Sequence, residues 1–286
     1  MIGGATASGK TSLAIDVARA LGTEIISADS RQFYREMRVG NARPEPEELA
    51  AVPHHFVADR SVTDPLSAGR FAAEALVVLD ALFYQHERVV VVGGGGLYLR
   101  ALAEGLDEFP DVTDTARAQV QNLVEKQGLT GLQAELRRLD PAYFAAVDQA
   151  NPRRLERALL VSYSSGRPYS SFLNKRPPRP FAVRYFRTAR PRPELYGRIN
   201  RRVDLMLQRG LEAEARALYP HRALPALQTV GYQEWWPYFE NAYDRDRAVE
   251  LIKRNSRRYA KRQETWFGKD ELYVPVTTAA DLLQQL

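Results

Sequence analysis

The 286-residue sequence contains no cysteine, only four histidines and no long hydrophobic run. Without cysteine there is no disulfide and no thiolate zinc site, and four scattered histidines do not suggest a metal cluster. Apolar stretches such as residues 89–92 fall far short of the roughly 20 residues that a membrane helix needs. The chain opens on glycines and not on the basic and apolar regions of a secretion signal. We therefore expect a cytoplasmic protein that does not enter a membrane.

Lysine is also scarce, since it supplies only six of the 40 basic residues. The net charge of +5 conceals a strong segregation: residues 1–150 carry −7, whereas residues 151–210 hold 15 basic and three acidic residues. A second basic block, residues 245–269, holds nine basic and three acidic residues. Genomic base composition can explain the preference for arginine, but not this clustering. Because arginine binds phosphate through a planar fork and stacks on bases, the two blocks indicate a nucleic-acid partner.

The start of the chain matches the phosphate-binding pattern G-x-x-x-x-G-K-[ST] at every position. The matching residues are Gly4, Ala5, Thr6, Ala7, Ser8, Gly9, Lys10 and Thr11. In this pattern, backbone amides surround an oligophosphate, the lysine neutralises it and the final hydroxyl reaches a magnesium ion. Leu13, Val17 and Leu21 follow at helical spacing, and Gly22 is typical of a helix end. We predict a phosphate loop that opens a helix.

Two apolar segments are typical of buried parallel strands. Residues 24–29 end on Asp29, and residues 88–92 lead into four glycines. Because ligands bind beyond the carboxyl ends of parallel strands, Asp29 is expected to face the phosphate site. Capping of a following helix is the alternative role for Asp29. The second strand ends on glycine, so the carboxylate that ATPases usually carry there is missing, which disfavours motor and GTPase functions.

The middle of the chain has helical patterns and little strand signal. Helical patterns cover residues 118–128 and 129–139, and the proline-rich residues 176–180 precede a predicted strand at residues 181–186. We predict an α/β fold with a P-loop NTPase-like parallel sheet flanked by helices and an inserted, mainly helical domain. The catalytic core is expected to comprise residues 1–109 and 181–286, and the insertion residues 110–180.

Two later helices are predicted to carry basic residues on one face. The first, residues 194–218, separates Arg198, Arg202 and Arg209 from its apolar stripe. The second has four cations on one face: Arg254, Arg257, Arg258 and Lys261. Charged helix faces are usually solvated surface, but like charges one turn apart repel by a few tenths of a kcal/mol. A bound polyanion would remove that repulsion.

Six stretches of the sequence, taken together, point to one family. They are residues 4–11, 27–34 (SADSRQFY), 92–94 (VGG), 151–155 (NPRRL), 230–234 (VGYQE) and 260–266 (AKRQETW). In motif and in order they resemble the bacterial tRNA dimethylallyltransferases, also called tRNA isopentenyltransferases, over nearly the whole chain. Two stretches depart from the usual family pattern. Gly95 stands where threonine is common, and Asn41 stands in a Gly-Asn-Ala-Arg-Pro run that is usually Gly-Thr-Ala-Lys-Pro.

The resemblance implies transfer of a dimethylallyl group from dimethylallyl diphosphate to the exocyclic amine of the adenosine immediately 3′ of the anticodon. The implied partners are the tRNA anticodon stem-loop and dimethylallyl diphosphate, the implied cofactor is Mg²⁺ held by Thr11, and we expect a monomer. Lys10 and the phosphate loop would stabilise the departing diphosphate, which Arg202 would clamp. Asp29 would accept the proton of the attacking amine.

The resemblance also implies an RNA-facing surface onto which the target base is flipped. Its implied members are Asp29, Ser30, Arg31, Gln32, Gly95, Arg117, Arg153, Arg154, Leu155, Glu156, Arg157, Gln228, Thr229, Val230, Gly231, Tyr232, Gln233, Lys261, Arg262, Gln263, Glu264, Thr265, Trp266, Phe267 and Gly268. Arginine and glutamine suit the reading of base edges and phosphates in a splayed loop.

Three alternatives remain open from the sequence. A small-molecule kinase also combines a phosphate loop with an aspartate after the second strand. A non-catalytic RNA-binding protein could retain a phosphate loop without function. An adenylate isopentenyltransferase would use the same donor, but would not need two large basic blocks.

Overall fold

The structure is a computed structural model that describes residues 1–176 and 178–286. In these residues the strands are β1 (Ile2–Gly3), β2 (Ile25–Ser27), β3 (His54–His55), β4 (Val90–Gly93), β5 (Phe186–Thr188) and β6 (Val274–Val276). They form one sheet in the order β3-β2-β4-β1-β5-β6, with every neighbouring pair parallel. Flanked by helices, this sheet confirms the predicted P-loop NTPase-like α/β fold.

The helices account for most of the remaining chain. They are α1 (Lys10–Leu21), α2 (Pro46–Ala51), α3 (Ala68–Phe83), α4 (Gly96–Glu104), α5 (Asp114–Leu139), α6 (Pro141–Ala146), α7 (Pro152–Ser165), α8 (Arg192–Gln208), α9 (Leu211–Leu218), α10 (Trp235–Phe239), α11 (Arg245–Lys269) and α12 (Ala279–Leu283). Short 3-10 helices lie at Tyr169–Phe172, Tyr219–His221 and Pro225–Leu227. Nowhere in the described ranges is a helix both long enough and apolar enough to cross a membrane.

The core strands are apolar on both faces because helices cover both sides of the sheet. Ile25, Val90 and Val92 pack against α1 on one side, whereas Ile26 and Val91 join the larger core on the other. This alternation is the two-residue period of a strand, with both faces buried. The carboxyl ends of β1, β2 and β4 thereby meet at one sheet edge.

The chain separates into two compact units. The first comprises Met1–Ala103 and Arg179–Leu286 and contains the sheet. The second, Glu104–Pro178, is helical and has its own core, to which Val120, Leu136 and Leu159 contribute.

The second unit is built around a break in its longest helix. Gly128 has φ 56° and ψ −145° inside α5, so the segment is two helices that meet at this glycine, as the sequence predicted. Asp140 follows α5, and its carboxylate accepts hydrogen bonds from the Tyr143 and Ser170 backbone amides and from the Ser170 hydroxyl. This buried carboxylate joins the start of α6 to the 3-10 helix that follows α7.

Two predicted elements differ from the structure. The helix expected over residues 194–218 is two helices, α8 and α9, because Gly210 adopts a left-handed conformation between them (φ 94°). The strand expected at residues 181–186 begins only at Phe186, where pairing with β1 starts. Strand pairing depends on the partner strand, and β1 reaches only from Ile2 to Gly3.

Candidate active site

The phosphate loop connects β1 to α1 in a conformation that depends on specific residues. Ala7 (φ 62°) and Gly9 (φ 95°) lie in the left-handed region. A Cβ on Gly4 would lie 2.1 Å from the Thr188 hydroxyl oxygen, so no side chain fits there. The Ser8 hydroxyl bonds the same Thr188 hydroxyl at 2.6 Å. The loop is therefore supported by the end of the neighbouring strand β5.

Three arginines, two on α8 and one just before it, hold the loop from outside. Each donates to a different loop residue: Arg202 Nη1 to Thr6 Oγ1 at 3.1 Å, Arg198 Nε to the Ala7 carbonyl at 2.8 Å and Arg190 Nε to the Ser8 carbonyl at 2.6 Å. In a loop whose amides surround an anion, outward carbonyls need such donors. The sequence identified Arg202 and placed Arg198 on its face. Arg190 was missed because it precedes the helix and belongs to no motif.

Lys10, Arg202 and Asp29 form one electrostatic group. Burial lowers the pKa of the Lys10 ammonium, which is only 8% exposed, while Asp29 raises that pKa and Arg202 lowers it. Burial likewise lowers the pKa of Arg202, and Asp29 opposes that effect. Two cations thus share the field of one carboxylate, and they gain further stabilisation from any anion that binds beside them.

A cleft of about 1,180 Å³ opens at the loop. Lys10 and Thr11 line it, and its other cationic side chains are Arg38, Arg43, Arg198, Arg201, Arg202 and Arg209. Glu45 and Glu48 are the acidic side chains of the lining, and Arg209 forms an ion pair with Glu45. The excess of positive charge in this cleft suits a di- or triphosphate group.

Asp29 lies in a turn directly after β2. Its Oδ1 accepts the Arg31 amide at 3.2 Å, and its carbonyl accepts the Gln32 amide at 2.9 Å. In the described chain the next helix is α2, so the alternative that Asp29 caps a following helix is wrong. Tyr259 of α11 lies close by, since burial and the Asp29 charge both raise the pKa of its hydroxyl. The charge of Asp29 therefore acts on Lys10 and Arg202 at the phosphate loop and on Tyr259 of α11.

Glu214 on α9 fixes one wall of the cleft. Its carboxylate accepts the backbone amides of Arg38 (2.8 Å), Val39 (2.7 Å) and Gly40 (2.9 Å) and the Tyr232 hydroxyl (2.6 Å). A Cβ on Gly40 would lie 2.5 Å from the Tyr232 ring, so this position needs glycine. Four hydrogen bonds to one carboxylate hold the loop that brings Arg38 and Val39 to the cleft.

Comparison with known proteins agrees with this geometry. The sequence matches the family described as IPP transferase over residues 32–270. This is most of the chain. The chain belongs to the IPP transferase family.

Relatives in this family align over nearly their full length. The tRNA dimethylallyltransferase of Christiangramia forsetii is 49% identical over 93% of this chain and 89% of its own. The tRNA dimethylallyltransferase 1 of Bacteroides fragilis is 44% identical over 94% of this chain and 89% of its own. Among solved structures, the tRNA isopentenylpyrophosphate transferase of Bacillus halodurans has 32% identity and a TM-score of 0.71, covering 99% of this chain and 92% of its own. A eukaryotic dimethylallyltransferase acting on tRNA, at 23% identity, shares the fold with a TM-score of 0.77.

The RNA-facing residues expected from the family divide by exposure. Exposed are Arg117, Arg153, Arg154, Arg157, Gln228, Lys261, Arg262, Thr265, Trp266 and Gly268, and partly exposed are Asp29, Ser30, Arg31, Gly95, Glu156, Val230, Gln233 and Glu264. Buried are Gln32, Leu155, Thr229, Gly231, Tyr232, Gln263 and Phe267. The side chains of the buried group lie inside the protein in this structure, and the RNA-facing role of the whole set stays a prediction. Arg117 and residues 153–157 belong to the second unit, and the others to the first.

The two departures from the usual family pattern have local explanations. Asn41 Nδ2 donates to the Arg31 carbonyl at 2.9 Å, and its Oδ1 accepts the Arg43 amide at 2.9 Å. Asparagine thus connects the turn after β2 to a loop of the cleft. A Cβ on Gly95 would lie 3.2 Å from the Ala28 carbonyl oxygen, so a side chain there requires a small shift of neighbouring atoms.

The basic face of α11 is only partly available. Arg257 donates to Asn200 Oδ1 at 2.7 Å, and the Arg254 side chain is partly buried. Arg258 and Lys261 are exposed. The exposed pair is therefore the part of this face that can meet a polyanion.

A magnesium ion held with a substrate phosphate needs few protein ligands. Among the described residues there is no cluster of three or more acidic, histidine or cysteine side chains that could hold a metal alone. Thr11 lies in the first turn of α1 and lines the cleft beside Lys10. One hydroxyl next to an oligophosphate site fits a metal that arrives with the phosphate.

Proposed function

We propose that this protein transfers the dimethylallyl group of dimethylallyl diphosphate to the exocyclic amine of the adenosine immediately 3′ of the anticodon in tRNA. The C1–oxygen bond of the donor breaks, a bond from C1 to the amine nitrogen forms, and diphosphate and a proton are released. The carrying observation is the cationic cleft at the phosphate loop, which Lys10, Thr11 and Arg202 line, together with the charge of Asp29 that acts on both cations.

The loop side of the cleft supports the departure of diphosphate. Lys10 and Arg202 stand where negative charge grows on the leaving group, and their burial strengthens that interaction. Arg198 and Arg190 hold the loop carbonyls so that the preformed loop needs little rearrangement. Magnesium would be held by the Thr11 hydroxyl together with diphosphate oxygens, where it would neutralise charge on the leaving group.

Asp29 supports the attack by the amine. An adenine amine becomes acidic only as its new bond to carbon forms, so the base needs position more than a strongly shifted pKa. Asp29 is placed by the turn after β2, and its charge acts on the two cations of the leaving-group site. We assign it the role of accepting the amine proton and passing it to solvent.

The exposed cations support a tRNA partner. Arg258, Lys261 and Arg262 lie along α11, and Arg153, Arg154 and Arg157 lie along α7 of the second unit. We assign the second unit, like α11, to tRNA contact. Such arginines suit the phosphates and splayed bases of an anticodon loop. We also propose that the protein is soluble, cytoplasmic and monomeric.

The test uses the protein with Mg²⁺, dimethylallyl diphosphate and an anticodon stem-loop. Mass spectrometry should detect addition of five carbons to a stem-loop with adenosine at the reactive position, and none when guanosine replaces it. Asp29→Asn should lower the transfer rate by about 10²–10⁴-fold with pyrophosphate and RNA binding retained. Asp16→Asn, an exposed aspartate of α1, is the matched control.

The same assay separates the rival functions. Transfer to free adenylate but not to the stem-loop would favour an adenylate isopentenyltransferase. Transfer of labelled phosphate from ATP to a small acceptor would favour a kinase. RNA binding without any transfer, in a folded preparation, would leave a non-catalytic RNA-binding protein.

A further inference from the structure

Gln263 lies in the most recognisable motif of α11, yet its side chain is only 6% exposed. Its Oε1 accepts the backbone amide of Thr6 at 2.8 Å, and its Nε2 donates to the Gly94 carbonyl at 2.8 Å. One side-chain amide therefore connects the phosphate loop to the end of β4. Both partners have fixed roles, because a backbone amide donates and a carbonyl accepts, and this sets the orientation of the Gln263 amide.

The geometry of α11 explains why Gln263 points inward. Ala260, Gln263 and Phe267 recur at i, i+3 and i+7, so they lie on one helix face. All three are buried: Ala260 packs with Ala5 of the loop, and Phe267 lies where a Cβ on Gly3 would be only 2.4 Å from its ring. The intervening Lys261 and Arg262 are exposed, so the motif has an outer basic side and an inner side against the loop.

Neighbouring atoms leave the Gln263 amide little freedom. A Cβ on Gly94 would lie 2.4 Å from Nε2, so the amide occupies the space that a side chain at Gly94 would take. On the loop, Thr6 is held twice: Gln263 accepts from its amide, and Arg202 donates to its hydroxyl at 3.1 Å. Thr6 is therefore the point where α8 and α11 both determine the conformation of the phosphate loop.

We propose that Gln263 is a positioning residue that holds the phosphate loop in its diphosphate-binding conformation through Thr6, and that it does not contact RNA. This inference rests on the proposed function for the identity of the donor. Removing the amide leaves the Thr6 N–H and the Gly94 carbonyl without their partners. The loop can then relax, so the remaining loop amides and Lys10 no longer converge on the diphosphate.

The test is Gln263→Met, which keeps the length of the side chain and removes both hydrogen bonds. Titration calorimetry with inorganic pyrophosphate should show a Kd raised about tenfold, as expected for one lost hydrogen bond to a preorganised loop. The KM for dimethylallyl diphosphate should rise similarly with a smaller change in kcat. The Kd for the anticodon stem-loop, measured by fluorescence anisotropy, should stay within about twofold of wild type.

Arg262→Gln is the matched control, since it changes the adjacent, exposed residue of the same helix. It should leave pyrophosphate affinity unchanged. Gly94→Ala displaces the Gln263 amide without altering α11, and it should weaken pyrophosphate binding even if Gln263→Met does not fold.

Two results would overturn the positioning role. The first is Gln263→Met with weakened stem-loop binding and unchanged pyrophosphate affinity. The second is an equal loss of pyrophosphate affinity in Arg262→Gln. The proposed function fails separately, if the wild-type protein binds pyrophosphate but transfers no dimethylallyl group.

Discussion

Replacement of Lys10 by methionine should stabilise the free protein and weaken its stabilisation by pyrophosphate. The Lys10 side chain is 8% exposed, and it forms no hydrogen bond and no salt bridge with any described residue. Its ammonium is thus desolvated with only the more distant field of Asp29 to compensate it. Methionine has similar length and no charge, so we expect a gain of about 1 kcal/mol, or about 2–4 °C in Tm.

The response to ligand should change in the opposite direction. Pyrophosphate at about a hundredfold excess over Kd stabilises a folded protein by about 2.7 kcal/mol. Loss of a charge-assisted bond of about 1.5–3 kcal/mol weakens binding by about tenfold to a hundredfold. At the same pyrophosphate concentration, the stabilisation of Lys10→Met should then be below about 1.4 kcal/mol.

The stability difference should also depend on pH. The pKa of Lys10 is lowered in the folded state, so the unfolded chain binds the proton more strongly at this residue. The unfavourable charge is fully present below the folded pKa, and it diminishes as pH rises through that pKa towards the ordinary value of about 10.4. The advantage of Lys10→Met over wild type should therefore shrink in alkaline buffer.

Thermal unfolding with and without pyrophosphate, across this pH range, measures all three effects. Lys126→Met, which removes an exposed lysine of the second unit, is the control and should match wild type. The reasoning is refuted if Lys10→Met is no more stable than wild type without ligand and gains the same increment from pyrophosphate.

Two further predictions concern the support of the cleft and the contact with RNA. Glu214→Ala should lower the free energy of unfolding by about 3 kcal/mol, because two part-buried amides and the Tyr232 hydroxyl lose their acceptor. Tyr232→Phe removes only one of these hydrogen bonds and should lower the free energy of unfolding by about 1 kcal/mol. Urea denaturation measures both, and equal losses would contradict the central role of the carboxylate. Replacing Arg258 and Lys261 together by glutamine should weaken stem-loop binding and reduce the slope of log Kd against log salt by about 1–2. An unchanged slope would assign that exposed face of α11 to solvent.

Features that depend on neighbouring residues could be predicted from the sequence. The phosphate loop, the helix after it and the strand that ends before Asp29 each depend on a few consecutive residues, whose periodicity and glycine positions were visible. The break at Gly128 followed from the same local rules, since glycine readily adopts a left-handed conformation. The order of the motifs along the chain was sufficient to recognise the family.

Features that depend on distant partners could not be predicted in this way. The helix over residues 194–218 was predicted as continuous because its charge pattern continues past Gly210, where the chain turns. Arg190 donates to Ser8, 182 positions away in the chain, and no local pattern identifies that pairing. Glu214 has the same kind of partner, since the amides that it accepts lie 174–176 positions earlier.

The motif of residues 260–266 shows both what the sequence determines by itself and what only the tertiary structure decides. Its sequence determined that α11 belongs to this family and carries a basic surface, because residue types are sufficient for both conclusions. Only the tertiary structure decided which residues face solvent and which face the phosphate loop. Successive helix residues differ in direction by about 100°, so the packing of α11 against the loop turns Gln263 inward while Lys261 and Arg262 remain exposed.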